Sequence, residues 1–226
     1  MTRDAEHELT IPHAIPHGES ALAGLLQGPA GARWLYVLGH GAGAGMRHPF
    51  MTAIAAALAV RDIATLRWEQ PAMTAGRRLG DRPAAVEPMA RSACTYARAL
   101  RPGTRLVAGG KSMGGRMTSL AASRAPLEGV EALVFLGFPL HPAGRPGSER
   151  AEHLQAVTLP LLFVSGTRDA LAELVLLRAA VGRLSRAQLV TIDGADHGLT
   201  VPKRAHLDPI ELAADAVAAF LAGLPS

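Results

Sequence analysis

Val107–Ala121 reads VAGGKSMGGRMTSLA, with Ser112 set among four glycines and followed by a run of helical composition. A strand candidate, 105–110, leads into it, and a helix candidate, 113–124, leaves it. In that setting the G-x-S-x-G spacing of Gly110–Gly114 predicts a serine held on a sharp, strained turn. Glycine at 110 and 114 removes side chains where strand and helix come closest, and the turn aims the Met113 amide at charge forming beside Ser112. The plainer alternative is a glycine-rich corner with a capping serine. A phosphate-binding loop is excluded, because G-x-x-x-x-G-K-[ST] needs glycine where Arg105 stands.

Working outward, short apolar runs at 33–40, 63–69, 105–110, 132–138, 159–166 and 187–194 read as strands covered on both faces, since most are continuously apolar. Helix-length segments lie between or after them near 49–61, 84–100, 113–124, 170–184 and 208–222. For the last, Asp208 is the expected N-cap, Pro209 opens the helix, Glu211 completes a capping box and Gly223 ends it. Alternating strands and helices predict an α/β fold with a mainly parallel sheet and helices on both faces. Residues 7–29 are expected to add an antiparallel edge hairpin. With no linker, repeat or low-complexity tail, the expectation is one domain over 1–226.

Composition narrows the function classes. The 226 residues are 49% hydrophobic and 19% charged, as in a globular chain. Of the 23 basic residues only Lys111 and Lys203 are lysines, and the arginines are scattered with no run longer than Arg77–Arg78. That argues against nucleic acid as a partner. No apolar run approaches the roughly 18 residues of a membrane span, and the N-terminus lacks the order of a signal peptide. Cys94 is the single cysteine, so no intramolecular disulfide can form. The expectation is a soluble, cytoplasmic protein without membrane contact.

A serine hydroxyl needs a neighbouring base to become a nucleophile. Ligand sites in parallel sheets lie beyond the carboxyl ends of the strands, which filters the candidates. His197, in DGADHGL (193–199), follows the last strand and has glycines at 194 and 198 to give its ring room. Asp169, in TRDA after the strand 159–166, is the expected acid. Asp193 and Asp196 sit beside His197 in sequence and are assigned to turn chemistry. Acyl transfer also needs two amides aimed at an oxyanion. Met113 supplies one; the small-residue loop HGAGAGM (40–46) supplies the other, from Ala42 or, next, Gly43. That loop's G-A-G-A-G spacing is not a dinucleotide fingerprint. His40, Met46, His48, Phe50, Trp68, Phe138, His141 and Leu199 are candidate pocket walls. Lys111, Arg47 and Arg116 are candidates for an electropositive mouth.

With these residues in hand, the chain resembles the α/β-hydrolase superfamily in its compact dienelactone-hydrolase-like branch. LGHGAGAGMRHPFM (38–51), GGKSMGGRM (109–117), SGTRDA (165–170) and DGADHGL (193–199) are similar to the family that includes testis-expressed protein thirty and an NSL-complex subunit. The resemblance implies a sheet of about eight strands, no cofactor or metal, and the order Ser112, Asp169, His197. Such folds often insert a helical lid after the sixth strand; only 139–158 is available here, so no large lid is expected. The expected activity is hydrolysis of a small-molecule ester, thioester or lactone through an acyl-enzyme. The alternatives are a non-catalytic interaction module on this fold, or acyl transfer or perhydrolysis on the same residues.

Overall fold

The computed structural model describes residues 5–15, 18–77, 81–202 and 206–225; Pro16, His17, Arg78 and Lys203 lie outside them. Its strands are β1 (His7–Ile15), β2 (Gly18–Gln27), β3 (Trp34–Gly39), β4 (Ile63–Trp68), β5 (Arg105–Lys111), β6 (Val130–Leu136), β7 (Leu161–Gly166) and β8 (Ala187–Ile192). They form one sheet in the order β1-β2-β4-β3-β5-β6-β7-β8. β1 pairs antiparallel with β2, and β2 antiparallel with β4. Every other neighbouring pair is parallel. β5 therefore runs through the middle of the sheet, which fixes where Ser112 emerges.

The helices are α1 (Pro49–Val60), α2 (Pro71–Thr74), α3 (Pro83–Leu100), α4 (Met113–Arg124), α5 (Leu174–Val181) and α6 (Pro209–Ala222). They divide the core into two layers. On one face, α1 and α6 cover Trp34, Tyr36, Leu38, Val107, Ala132, Val134 and Leu136. On the other, α3, α4 and α5 cover Leu35, Val37, Leu106, Ala108, Leu133 and Phe135. Alternate residues of each strand thus enter opposite layers, the period of two that an all-apolar run conceals. Each large side chain buried in this way contributes about 1.5–3 kcal/mol.

Local chemistry sets the element ends. Asp208 Oδ1 accepts from the Ile210 and Glu211 amides (2.9 and 3.2 Å), and Pro209 opens α6, as expected. Glu211 does not reach back to complete the expected capping box. Its carboxylate pairs instead with Arg61 at the end of α1 (2.7 Å), because the α1–α6 contact offers a cation. Between β6 and β7 only a 3-10 helix, Glu149–Ala156, intervenes, so no lid domain is inserted there. Among the described residues no helix is long and apolar enough to cross a membrane.

Candidate active site

The turn after β5 is built from steric necessity. Ser112 sits at φ 49, ψ −114, a conformation costing about 1–3 kcal/mol for a residue with a side chain. A Cβ on Gly110, whose φ is 147, would stand 2.1 Å from the Gly39 carbonyl oxygen; one on Gly114 would stand 2.4 Å from the same carbonyl. Only glycine lets α4 start this close to β3. The Ser112 amide donates to Leu136 O (3.1 Å), which ties the turn to β6.

The structure brings the three predicted side chains together. Ser112 Oγ lies 2.8 Å from His197 Nε2, and His197 Nδ1 lies 2.9 Å from both oxygens of Asp169. The Asp169 side chain is fully buried, and its Oδ1 also accepts from the Leu171 amide (2.7 Å). A carboxylate on Nδ1 keeps the imidazole proton there and turns the Nε2 lone pair to the serine hydroxyl. Asp193 and Asp196 hold turns instead: Thr167 Oγ1 donates to Asp193 (3.1 Å), and the Thr200 amide and hydroxyl donate to Asp196 (3.0 and 2.8 Å).

A cavity of about 180 Å³ opens beside the serine, lined by Gly41, Ala42, Ala44, His48, Phe50, Met51, Lys111, Ser112, His197 and Gly198. Ala42 is exposed on its rim, and Gly43 takes φ 74 in the same loop. The Met113 amide belongs to the first turn of α4, where helical N–H groups have no intrahelical partner. Of the eight wall candidates, His48 and Phe50 line this cavity. The other six turn away into the protein. Trp68 and Leu199 are core residues, and Phe138 packs against Phe135 and Phe163 with ring centroids 5.3 and 5.6 Å apart. Met46 is buried under the loop, and His141 is engaged with the Pro142 carbonyl (2.9 Å) and the Glu173 amide (3.1 Å).

His40 belongs to a buried network that sequence reasoning missed. Its Nδ1 meets the Gly41 carbonyl (2.8 Å); its Nε2 accepts from the Gln70 amide (3.0 Å) and lies 3.0 Å from Glu69 Oε1. Glu69 accepts the Met46 amide on both oxygens (3.2 Å each), and Arg67 donates to the Met46 carbonyl (3.1 Å). The loop 40–46 is thus held at both ends from beneath. The available signal was Arg67, a charged residue inside an apolar strand run.

The electropositive mouth reduces to one residue. Arg47 is paired with Glu6 and Glu8, and Arg116 does not line the cavity. Lys111 does line it. Burial pushes the Lys111 ammonium down to about 8, against the opposing pull of Asp169 and Asp196. A larger groove of about 710 Å³, between the β1–β2 hairpin and α3, includes His13, Ser92 and Tyr96 but none of the residues around Ser112. Chemistry rather than size marks the candidate site.

Serine after a central strand, aspartate after β7 and histidine after β8 is the chain order that defines an α/β hydrolase. The chain belongs to that family, since residues 32–222 match the model described as an alpha/beta hydrolase domain. No curated protein matches the chain. Among solved structures it is similar to dienelactone hydrolase from Anabaena variabilis ATCC 29413 (TM-score 0.74, 22% identity, 96% of this chain and 97% of that one). It is also similar to an α/β serine hydrolase without lid from Xanthomonas campestris (TM-score 0.71, 20% identity, 98% and 96%). Est1E from Butyrivibrio proteoclasticus follows with a TM-score of 0.71, 18% identity, and 94% and 97% coverage. These likenesses describe the fold, which is dienelactone-hydrolase-like.

Proposed function

We propose that residues 1–226 form one α/β-hydrolase domain that cleaves carboxylic esters, thioesters or lactones of small molecules through an acyl-enzyme. The observation carrying this reading is the hydrogen-bonded chain Ser112–His197–Asp169 on a strained strand–helix turn. Ser112 Oγ attacks the carbonyl carbon while His197 Nε2 takes its proton. Asp169 keeps the imidazole oriented and stabilises its charged form. The Met113 and Ala42 amides receive the oxyanion. His197 returns the proton to the leaving alcohol, thiol or alkoxide, and water then releases the acid by the same steps in reverse order.

The small, lidless cavity favours short acyl groups. Purified protein should hydrolyse p-nitrophenyl acetate, and Ser112→Ala should lower kcat by about 10³-fold or more without changing the circular dichroism spectrum. A folded Ser112→Ala protein that keeps most of the activity contradicts the assignment.

A further inference from the structure

We infer that Lys111, the residue between Gly110 and the serine, is a positioning residue for the proposed base. Its side chain holds the main chain of His197 where the imidazole meets both Ser112 and Asp169. The inference rests on the hydrolase reading above and adds to it a residue outside the Ser–His–Asp set.

Three observations carry it. Lys111 Nζ donates to the His197 carbonyl oxygen. The rest of the loop is anchored elsewhere or internally. Ala195 is pressed against Gly166, where a Cβ would stand 2.1 Å from its carbonyl oxygen, and accepts from the Arg168 amide (2.9 Å). Asp196 and Thr200 bond to each other. Among the described residues, Lys111 makes the hydrogen bond that reaches the His197 main chain from outside the loop.

Second, the path for this contact is cut into the neighbouring strand end. Gly137, at φ 69 just beyond β6, would place a Cβ 2.9 Å from Lys111 Nζ and 3.1 Å from the His197 carbonyl oxygen. Any side chain there would displace one of the two.

Third, the ammonium has no carboxylate in direct contact; Asp169 and Asp196 attract it only from beyond ion-pair distance. Among the described ion pairs none includes Lys111, and its other neighbour is the Phe50 ring, 5.5 Å from Nζ to the centroid. For this half-buried ammonium, desolvation outweighs the pull of the two carboxylates, so its charge costs stability and stability does not account for it. A charge-assisted bond to the base's own carbonyl does. Lys111 is also the last residue of β5, the central strand, so it fixes the far loop relative to the serine next to it.

A side chain that only fills space would be replaced by an apolar one of similar length without loss. Lys111→Met is therefore expected to fold with undiminished stability and to lose on the order of 10–100-fold in kcat on p-nitrophenyl acetate, with KM little changed. The sharper test starts from Lys111→Cys. Alkylation with 2-bromoethylamine rebuilds a lysine-length side chain ending in an amine, while a propyl reagent gives the same length without one. Cys94 stays unmodified, because it is fully buried and its thiol is pushed up to about 12. Activity restored by the aminoethyl group and not by the propyl group supports the inference.

Wild-type kcat in Lys111→Met, restoration by both reagents, or restoration by neither overturns it. If the wild type itself neither turns over esters nor reacts with a fluorophosphonate, the hydrolase reading fails and this inference falls with it. If the wild type is active and Lys111→Met equally so, this inference alone fails.

Discussion

Two glycine-rich loops face each other across the Ser112 cavity, and they are glycine-rich for different reasons. In GGKSMGG (109–115) the glycines are places where backbone meets backbone: Cβ atoms at 109, 110 and 114 would stand 1.9, 2.1 and 2.4 Å from carbonyl groups of β6 and β3, and one at 115 would stand 2.7 Å from the Gly110 carbonyl across the turn. In HGAGAGM (40–46) a Cβ on Gly41 meets nothing nearer than Ser112 Cβ at 3.5 Å, and Gly45 faces the Glu69 carboxylate rather than backbone. The first loop is a platform fixed by close packing. The second is a thin strap whose ends are held by buried polar side chains, leaving Ala42 and Gly43 exposed over the serine. Similar composition, read without neighbours, hides this difference.

Substitution should expose it. Gly110→Ala forces a side chain into the Gly39 carbonyl at a φ of 147, and is expected to destabilise by at least about 3 kcal/mol, enough to abolish soluble protein. Gly41→Ala should stay within about 1 kcal/mol of wild type in urea unfolding. Equal stability for the two variants would break the contrast. Next in size, Glu69→Ala orphans the Met46 amide and removes the carboxylate beside His40. We expect a loss of about 1–3 kcal/mol together with lower kcat, as the strap shifts under the proposed oxyanion donors. Unchanged turnover in a folded Glu69→Ala protein would show that the strap needs no support from below.

A further effect is in pH. The Lys111 ammonium titrates near 8 in the fold and near the ordinary 10.5 once unfolded. Between those values the unfolded chain holds a proton the folded chain has released, so stability should rise with pH across this window. Lys111→Met should flatten that rise in unfolding curves measured from pH 7 to pH 10. A slope unchanged by the substitution would assign it to other groups.

Much of this was legible in the sequence. Continuous apolar runs located the parallel strands, and the rule that sites follow strand ends selected Ser112, Asp169 and His197, which the structure brings within hydrogen-bonding distance. What was not legible is sidedness. His40, Trp68, Phe138 and His141 also follow or end strands, yet their side chains turn inward, because orientation at a strand end depends on packing that no local pattern records. Arg47 was misread for a related reason: its partners Glu6 and Glu8 lie about forty residues away and reach it only through the hairpin. The Arg67–Glu69–His40 network is non-local in the same way, joining β4 to the loop after β3.

The central claim is that Ser112 is an activated nucleophile, and a fluorophosphonate probe read by intact mass tests it most directly. The account predicts one adduct on the wild-type protein and none on Ser112→Ala. A folded wild-type protein that takes no adduct, or an adduct that persists in Ser112→Ala, would contradict it.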